Sequence, residues 1–241
     1  MGNILLIFGS NSHILNGFYP DKKYTEIIIA NRSSKTNKNF KTRFIYYDLL
    51  CKNEKEDKKI INILNSNKFD NLDVLFASYT KKGLQHTDTA KDICDGLFAN
   101  VARPLSLFSL LSENFINKKI NVIFISSIYS IVSPNKNNYQ KESEVNPLFY
   151  GASKAAVNQG IKWLSTRNIN HKFNSIILGA MPKDNVIQEQ PLFVENLINS
   201  TPSNKFITHE DLNKTINFIF NTNSNNIRGT SIVLDGGYTI W

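Results

Sequence analysis

Short apolar runs alternate with longer amphipathic segments along the whole chain. The runs are rich in β-branched residues and several are apolar almost throughout, which is typical of parallel strands covered on both faces. They predict strands at residues 4–8, 26–30, 42–47, 73–77, 121–126, 173–178 and 231–234. Helical spacing predicts helices near residues 54–65, 89–116, 148–168 and 208–220. The last of these begins with Thr208 followed by Asp211, a pattern typical of a helix N-cap. The alternation of strand and helix predicts an α/β fold, a Rossmann-type doubly wound parallel sheet of about seven strands flanked by helices on both faces.

Two polar segments interrupt this pattern. Residues 133–147 are aperiodic, and residues 181–205 contain Pro182, Pro191 and Pro202. We expect both segments to be irregular loops. Both follow strand ends, on the side where doubly wound sheets bind ligands, so either can contribute to a binding site.

Composition and length narrow the class of protein. The chain has 241 residues, 41% hydrophobic and 20% charged, which predicts one domain over residues 1–241. Two cysteines, Cys51 and Cys94, exclude a disulfide framework and a cysteine-rich zinc site, and they favour a reducing cytoplasm. The four histidines lack metal-ligand spacing, so no metal is expected. The N-terminal apolar run is too short for a signal peptide or a membrane span, so we expect a cytoplasmic protein with no membrane partner.

The net charge of +8 does not by itself indicate a nucleic-acid partner. Only 5 of the 28 basic residues are arginines, and the lysines are spread along the chain rather than clustered among aromatic residues. A solvated basic surface explains the charge, and no nucleic-acid partner is expected.

Tyr150 and Lys154 are the candidates for acid–base chemistry. Residues four apart share one face of a helix, and a nearby ammonium lowers the pKa of a phenol, so the pair predicts a tyrosine able to exchange a proton near neutral pH. Such a spacing also arises by accident, and we interpret Tyr19 and Lys23 as that accident. Tyr150 differs from Tyr19 in its neighbourhood, because several other polar residues occupy informative places in the predicted fold.

Those residues carry a family resemblance. Asn100 lies within a long helix, Ser127 follows Ser126 at a strand end, and the chain closes with Asp235-Gly236-Gly237. Together with Tyr150 and Lys154, they resemble the short-chain dehydrogenase/reductases over essentially the whole chain. The resemblance implies a catalytic tetrad of Asn100, Ser127, Tyr150 and Lys154.

The resemblance also implies a role for each member of the tetrad. Tyr150 would be the general acid for carbonyl reduction, or the base for alcohol oxidation. Lys154 would lower the pKa of Tyr150 and hold the nicotinamide ribose. Ser127 would bind the reacting oxygen, and Asn100 would anchor a water that links Lys154 to solvent.

A nicotinamide cofactor, NADP or NAD, follows from the same resemblance. The implied cofactor-binding residues, besides Tyr150 and Lys154, are Gly9, Ser10, Asn11, Ser12, His13, Ile14, Asn31, Arg32, Asp48, Leu49, Ala77, Ser78, Tyr79, Gly179 and Met181. Arg32 stands where a carboxylate would pair with the ribose of NAD, and it favours NADP; the alternative is an exposed surface arginine. Asp48 is either an adenine contact or a simple helix cap.

The turn after the first strand departs from the family pattern. The family usually has Gly-xxx-Gly-x-Gly, and here only Gly9 remains, with His13 where bare backbone is usual. Gly17 and Pro20 interrupt the helix that should follow. Either the side chains of residues 10–12 still present hydroxyls and amides to the diphosphate, or dinucleotide binding is weakened or lost.

Details of the chain suggest a branch of the family. The separation of Ser127 and Tyr150 is long, with Tyr129 and Tyr139 inside the insertion, and this resembles flagellin-modification and surface-polysaccharide oxidoreductases. A small-molecule substrate, possibly a sugar nucleotide, and a homodimer or homotetramer are implied. Two alternatives stay open: a 3-oxoacyl-[acyl-carrier-protein] reductase, and a non-catalytic binding protein with a degenerate cofactor turn.

Overall fold

A parallel seven-stranded sheet forms the centre of the molecule, with strand order β3-β2-β1-β4-β5-β6-β7. The computed structural model describes residues 2–32, 42–51, 54–77, 89–139 and 145–240. The strands are β1 (Gly2–Phe8), β2 (Glu26–Asn31), β3 (Thr42–Tyr46), β4 (Phe69–Ala77), β5 (Lys119–Ile125), β6 (His171–Leu178) and β7 (Ser231–Leu234). Strand order reverses between β1 and β4, which creates a crevice at the carboxyl edge of the sheet where such folds bind ligands.

Helices cover both faces of this sheet. They are α1 (Lys55–Asn65), α2 (Ala90–Leu97), α3 (Arg103–Asn114), α4 (Leu148–Ser165), α5 (Asp184–Glu189), α6 (Pro191–Asn199) and α7 (His209–Asn221). One apolar cluster joins Ile4 and Leu6 of β1 to α1, α3 and α4, and a second joins Leu5 and Ile7 to α7. Successive residues of a strand point to opposite faces, so an almost wholly apolar strand is required where both faces are buried. The predicted α/β doubly wound fold is confirmed.

One local prediction was wrong. Residues 181–205 are not irregular, because α5 and α6 lie within them, and Pro191 occupies the first turn of α6, where its missing N–H costs nothing. After β1 there is no α-helix before β2 but a single 3₁₀ turn, His13–Leu15. Gly17 and Pro20, which follow, are both unfavourable within a helix.

The predicted cap of α7 is confirmed. The Thr208 side chain accepts from the Asp211 amide, and the Asp211 side chain accepts from the Thr208 amide. None of the helices in the described ranges combines the length and apolar character needed to cross a bilayer.

Candidate active site

Tyr150 and Lys154 lie in the first two turns of α4, beside the carboxyl end of β5. The helix begins after Pro147, and the spacing of four brings the Lys154 Nζ to 5.3 Å from the centre of the Tyr150 ring. Lys154 is 1% exposed, and its Nζ donates to the Ile125 carbonyl at 2.8 Å. Because burial disfavours the charged amine, the pKa of Lys154 is lowered to about 7.

Ser127 is hydrogen-bonded to the hydroxyl of Tyr150. Ser127 lies two residues after the end of β5 and is itself buried, and its Oγ also accepts from the Tyr129 amide at 3.3 Å. Burial raises the pKa of Tyr150, and the Ser127 hydroxyl lowers it in part. The net direction is opposite to the one expected from the Tyr-xxx-Lys spacing, because the cost of burying the phenolate dominates. Tyr150 is therefore a protonated phenol at neutral pH.

Asn100 approaches Tyr150 through a residue that the sequence analysis missed. The predicted helix over residues 89–116 is interrupted by a π-helical turn, Phe98–Ala102, which contains Asn100. Its Nδ2 donates to Ser153 Oγ at 3.0 Å, and Ser153 Oγ donates to the Tyr150 carbonyl at 2.8 Å. Asn100 Oδ1 is buried and has no hydrogen-bond partner among the described residues. A Ser three residues after Tyr150 was the available clue to this contact, since residues three apart share a helix face.

A chain of aromatic side chains leads away from Tyr150. The Tyr129 ring stands edge-on to the Tyr150 ring, with centres 6.5 Å apart. The Tyr129 and Tyr139 hydroxyls share a 2.5 Å hydrogen bond, and the Tyr139 ring lies 5.0 Å from the Phe193 ring of α6. Phe193 is not among the site residues expected from the sequence.

A cavity of about 440 Å³ lies beside β1 at the carboxyl edge of the sheet. Its lining residues are Phe8, Gly9, Asn11, Ala30, Asn31, Arg32, Tyr47, Asp48, Leu49 and Ala77. Seven of these belong to the expected cofactor-binding set, whereas Phe8, Ala30 and Tyr47 do not. A volume of this size is in the range of small-molecule sites.

The turn after β1 is held by Asn31 rather than by a helix. The Gly9 amide donates to Asn31 Oδ1 at 2.8 Å, and Asn31 Nδ2 donates to Ser10 Oγ at 2.6 Å. Gly9 has a φ of +74°, and a Cβ there would approach Ala77 to 3.0 Å. Ser12 Oγ is buried without a hydrogen-bond partner among the described residues. The family glycine that remains is thus the one required by the backbone.

His13 connects this turn to the segment after β6. Its Nε2 donates to the Pro182 carbonyl at 3.1 Å, and His209 Nε2 of α7 donates to the His13 carbonyl at 3.0 Å. The two imidazole rings stand edge-on with centres 5.5 Å apart. His13 therefore bridges one end of the crevice.

Several other expected cofactor residues have structural roles. A Cβ on Gly179 would lie 2.7 Å from the Asp235 Cα, so glycine is required there by close backbone packing. Ile14 and Met181 pack against the α7-side core. Asp48 Oδ1 accepts from the Leu50 amide at 3.0 Å, as a local cap, while Asp48 also lines the cavity. Ser78 and Tyr79 lie outside the described residues.

The residues present fit a dinucleotide in part. The cavity beside β1 offers an apolar floor with Arg32 and Asp48 at its rim, which suits an adenosine, and the unpartnered Ser12 hydroxyl can donate to a phosphate. The usual helix N-terminus for the diphosphate is replaced by a 3₁₀ turn of three residues, so side chains and loop amides would have to supply that contact. Within the described residues, no cluster of His, Cys, Asp or Glu is placed to hold a metal ion.

A family model and several known proteins are similar to this chain. A family model described as enoyl-(acyl carrier protein) reductase matches residues 30–239, which leaves β1 and its turn outside the match. The post-translational flagellin modification protein A of Campylobacter coli is 28% identical over 155 residues, which is 61% of this chain and 57% of that protein. The match thus spans little more than half the length of that relative.

Solved structures resemble the whole fold. A short-chain dehydrogenase of Leptospira borgpetersenii with bound NAD+ is 22% identical, with a TM-score of 0.80 over 99% of this chain and 93% of that chain. RhlG of Pseudomonas aeruginosa, solved with NADP, is 19% identical, with a TM-score of 0.74 over 98% and 96% of the two chains. The ligand-free aldohexose dehydrogenase of Thermoplasma acidophilum is 14% identical, with a TM-score of 0.78 over 100% and 95%.

Proposed function

Because the chain belongs to the short-chain dehydrogenase/reductase family, we propose that it is an NAD(P)-dependent oxidoreductase acting on a carbonyl or alcohol. The observation that carries this proposal is the group of Tyr150, Ser127 and Lys154 at the crevice edge, in which Ser127 and Lys154 are buried. The phenol is hydrogen-bonded to Ser127, and the Lys154 amine lies against its ring. Burying an amine is costly, so packing alone would favour an apolar side chain at this position. A fully buried lysine is therefore not explained by a structural role.

The three side chains divide the chemistry between them. A bound nicotinamide supplies or accepts the hydride. Tyr150, protonated at neutral pH, donates its proton to the oxygen of a carbonyl substrate, or takes the proton back from an alcohol. Ser127 donates a hydrogen bond to the same oxygen and stabilises the charge that develops there. Lys154, with its pKa near 7, can take up or release a proton beside the phenol at neutral pH.

Asn100 is proposed to extend this proton route. Its Oδ1 is a buried acceptor with no partner among the described residues, and buried acceptors of this kind usually bind an ordered water. Its amide nitrogen is fixed by Ser153 on the helix of Tyr150. Asn100 is therefore oriented relative to the reacting group.

Arg32 supports a preference for NADP over NAD. It is exposed at the rim of the cavity beside β1, next to Asn31 rather than a carboxylate. A guanidinium binds a phosphate group strongly, whereas the ribose hydroxyls of NAD are better matched by a carboxylate.

A sugar derivative is the proposed substrate, in bacterial surface-glycan assembly. Tyr129, Tyr139 and Phe193 form an aromatic wall beside Tyr150, and aromatic rings present apolar faces suited to sugar rings. The flagellin-modification relative supports the same assignment. An aldohexose dehydrogenase among the similar folds adds a sugar-active example.

A second candidate, a non-catalytic binding protein, is favoured by one specific feature. The turn after β1 has lost its helix, and the His13 side chain is bonded across the crevice to the Pro182 carbonyl. Each of these features weakens the diphosphate contact on which hydride transfer depends.

Cofactor titration of the protein and turnover of Tyr150→Phe distinguish the oxidoreductase from the non-catalytic binding protein. We expect purified protein to bind NADPH saturably and more tightly than NADH by calorimetry, and to turn over members of a panel of sugars and sugar nucleotides. Tyr150→Phe should lower kcat by about 10²–10⁴-fold with cofactor affinity nearly unchanged, because only the proton donor is lost.

Tyr19, which has the same spacing from Lys23 as Tyr150 has from Lys154, provides the matched control. Tyr19 is 56% exposed, so Tyr19→Phe should leave both turnover and cofactor affinity unchanged. Absence of saturable binding of either cofactor would establish the non-catalytic candidate instead. Full turnover by Tyr150→Phe would remove Tyr150 from the assigned role.

A further inference from the structure

A second cavity, at the opposite edge of the sheet from the candidate active site, is lined by polar and charged side chains. Its volume is about 600 Å³, and it lies at the amino ends of β1, β4, β5 and β6. The last turn of α7 and the segment after it form its outer wall. The proposed oxidoreductase chemistry makes no use of this edge.

Strand register builds the floor of this cavity, which we call the amino-edge cavity. Two adjacent rows of paired strand residues carry polar side chains, namely Asn3, Asn71 and Lys119 in one row and Asp73, Asn121 and Lys172 in the next. Asp73 is also in register with Leu5, which packs toward α7, so both rows belong to the α7 face of the sheet. On β1, β4 and β5 the rest of that face is apolar, so the polar residues of these three strands are concentrated at the amino edge.

The one carboxylate of the cavity is already satisfied. Asp73 is 2% exposed, and its Oδ2 accepts from Lys23 Nζ at 2.9 Å and from the Tyr24 hydroxyl at 2.7 Å. Its Oδ1 accepts from Asn121 Nδ2 at 2.8 Å. Asp73 and Lys23 neutralise each other, so the lining retains the charge of Lys119 and Lys172.

These two lysines give the cavity an excess of positive charge. Lys172 Nζ donates to the carbonyls of Thr222 and Ser224, at 3.2 and 3.5 Å, and this anchors it at the outer wall. Burial lowers the pKa of Lys172, and the neighbouring cations of Arg228 and Lys119 lower it further while Asp73 opposes them. A bound anion would relieve this repulsion between cations.

Asn121 adds a requirement for a hydrogen-bond donor. Its Nδ2 is engaged by Asp73, and its Oδ1 is buried without a partner among the described residues. An unpaired buried acceptor is costly unless a donor reaches it. Inorganic phosphate near neutral pH carries an O–H, and so does a sugar phosphate, whereas sulfate carries none.

From these contacts we propose that the amino-edge cavity is a binding site for a small oxyanion that also carries a hydroxyl group, with hydrogenphosphate as the simplest case and a sugar phosphate as the larger one. Lys119 and Lys172 supply the positive charge for the anionic oxygens. Asn121 Oδ1 accepts from the hydroxyl of the ligand.

Calorimetric titration of the full chain with inorganic phosphate, sulfate and a hexose phosphate at constant ionic strength tests the site. We expect phosphate to bind saturably and at least about tenfold more tightly than sulfate, because only phosphate brings a donor to the buried Asn121 acceptor. Tighter binding of the hexose phosphate than of phosphate identifies the larger ligand, and equal binding identifies free phosphate. Both results support the site.

Charge-removing variants locate the binding. Lys119→Gln and Lys172→Gln should each weaken phosphate binding at least fivefold. The Lys119 side chain is exposed. Lys58→Gln, on the exposed side of α1, is the control for net charge and should leave binding unchanged. Arg32→Gln distinguishes the other cavity, and the phosphate binding that Lys119→Gln and Lys172→Gln weaken should persist in it.

The proposal is overturned if phosphate gives no saturable heat, if sulfate binds as well as phosphate, or if binding is lost in Arg32→Gln but kept in Lys119→Gln. Circular dichroism of each variant checks that the fold is intact. No nicotinamide cofactor is used in this experiment. A failure to bind phosphate would therefore leave the proposed oxidoreductase function untouched.

Discussion

At the scale of single residues, burial rather than sequence spacing determines the protonation of the candidate active site. The spacing of Tyr150 and Lys154 predicts contact, and the contact is present. The proton affinities follow from the surroundings instead, because packing between β5 and α4 buries Lys154 fully and Tyr150 in part. Burial raises the pKa of Tyr150 and lowers that of Lys154.

Lys154 makes the stability of the protein depend on pH. Its pKa is about 7 in the folded chain and 10.5 in the unfolded one, so between these values the unfolded chain binds more protons. The cost of burying the charged amine is therefore full below pH 7, and it is relieved as the pH rises from 7 to 10.5. We expect urea denaturation to show the wild type gaining free energy of unfolding relative to Lys154→Met across this window. A constant difference between the two proteins would show that Lys154 is solvated in the folded chain.

At the scale of secondary-structure elements, two glycines of α4 lie against neighbours that differ in their freedom to move. A Cβ on Gly151 would lie 2.5 Å from the Tyr129 carbonyl oxygen, which is rigid backbone next to Ser127. A Cβ on Gly160 would lie 2.5 Å from Leu105 Cδ1, the far end of a side chain that can rotate away.

Substitution of these glycines by alanine tests how tightly α4 is docked at the site. Gly151→Ala should displace the turn after β5, cost about 1–3 kcal/mol of unfolding free energy and lower kcat more than tenfold. Gly160→Ala should be close to neutral in stability, because the gain in helix propensity offsets the cost of rotating Leu105. It should also keep full turnover. Equal effects of the two substitutions on kcat would contradict the close docking of α4 against the Tyr129 backbone.

Tertiary contacts also fix the position of the turn after β1. His13→Ala removes the bridge to the Pro182 carbonyl, which must open if a dinucleotide passes between them. One such hydrogen bond is worth about 1 kcal/mol, so we expect the cofactor dissociation constant to fall about fivefold by calorimetry. His209→Ala, which leaves the bridge in place, is the control. A weaker affinity in His13→Ala would instead indicate that the imidazole binds the diphosphate.

At the scale of the whole molecule, a buried ion pair joins α1 to α3 beneath the cavity beside β1. Arg103 is 4% exposed and its Nη1 donates to Asp57 Oδ2 at 2.8 Å, while Tyr47 donates to Asp57 Oδ1 at 2.7 Å. Burial raises the pKa of Asp57, and the Tyr47 hydrogen bond and the Arg103 charge lower it.

Removing one partner of this pair should destabilise the whole fold. Arg103→Met leaves the Asp57 carboxylate buried without its cation, and we expect a loss of about 3–5 kcal/mol in unfolding free energy by urea denaturation. Arg43 pairs with Glu26 on the surface, so Arg43→Met should cost less than about 1 kcal/mol. A small loss for Arg103→Met would mean that water reaches Asp57.

The sequence alone determined the order of strands and helices and the Tyr150–Lys154 face of α4, because both depend on local periodicity. It also identified the cap at Thr208 and the loss of the turn glycines. It failed at residues 181–205, where proline suggested a loop although Pro191 begins a helix.

Only the tertiary structure decided which residues meet across the sheet. The contact of Asn100 with Ser153, the bridge from His13 to Pro182 and the two polar rows of the amino-edge cavity all join segments far apart in the chain. The direction of the Tyr150 pKa shift belongs with them. Burial is a property of the packed assembly of strands and helices, so no local pattern of residues encodes it.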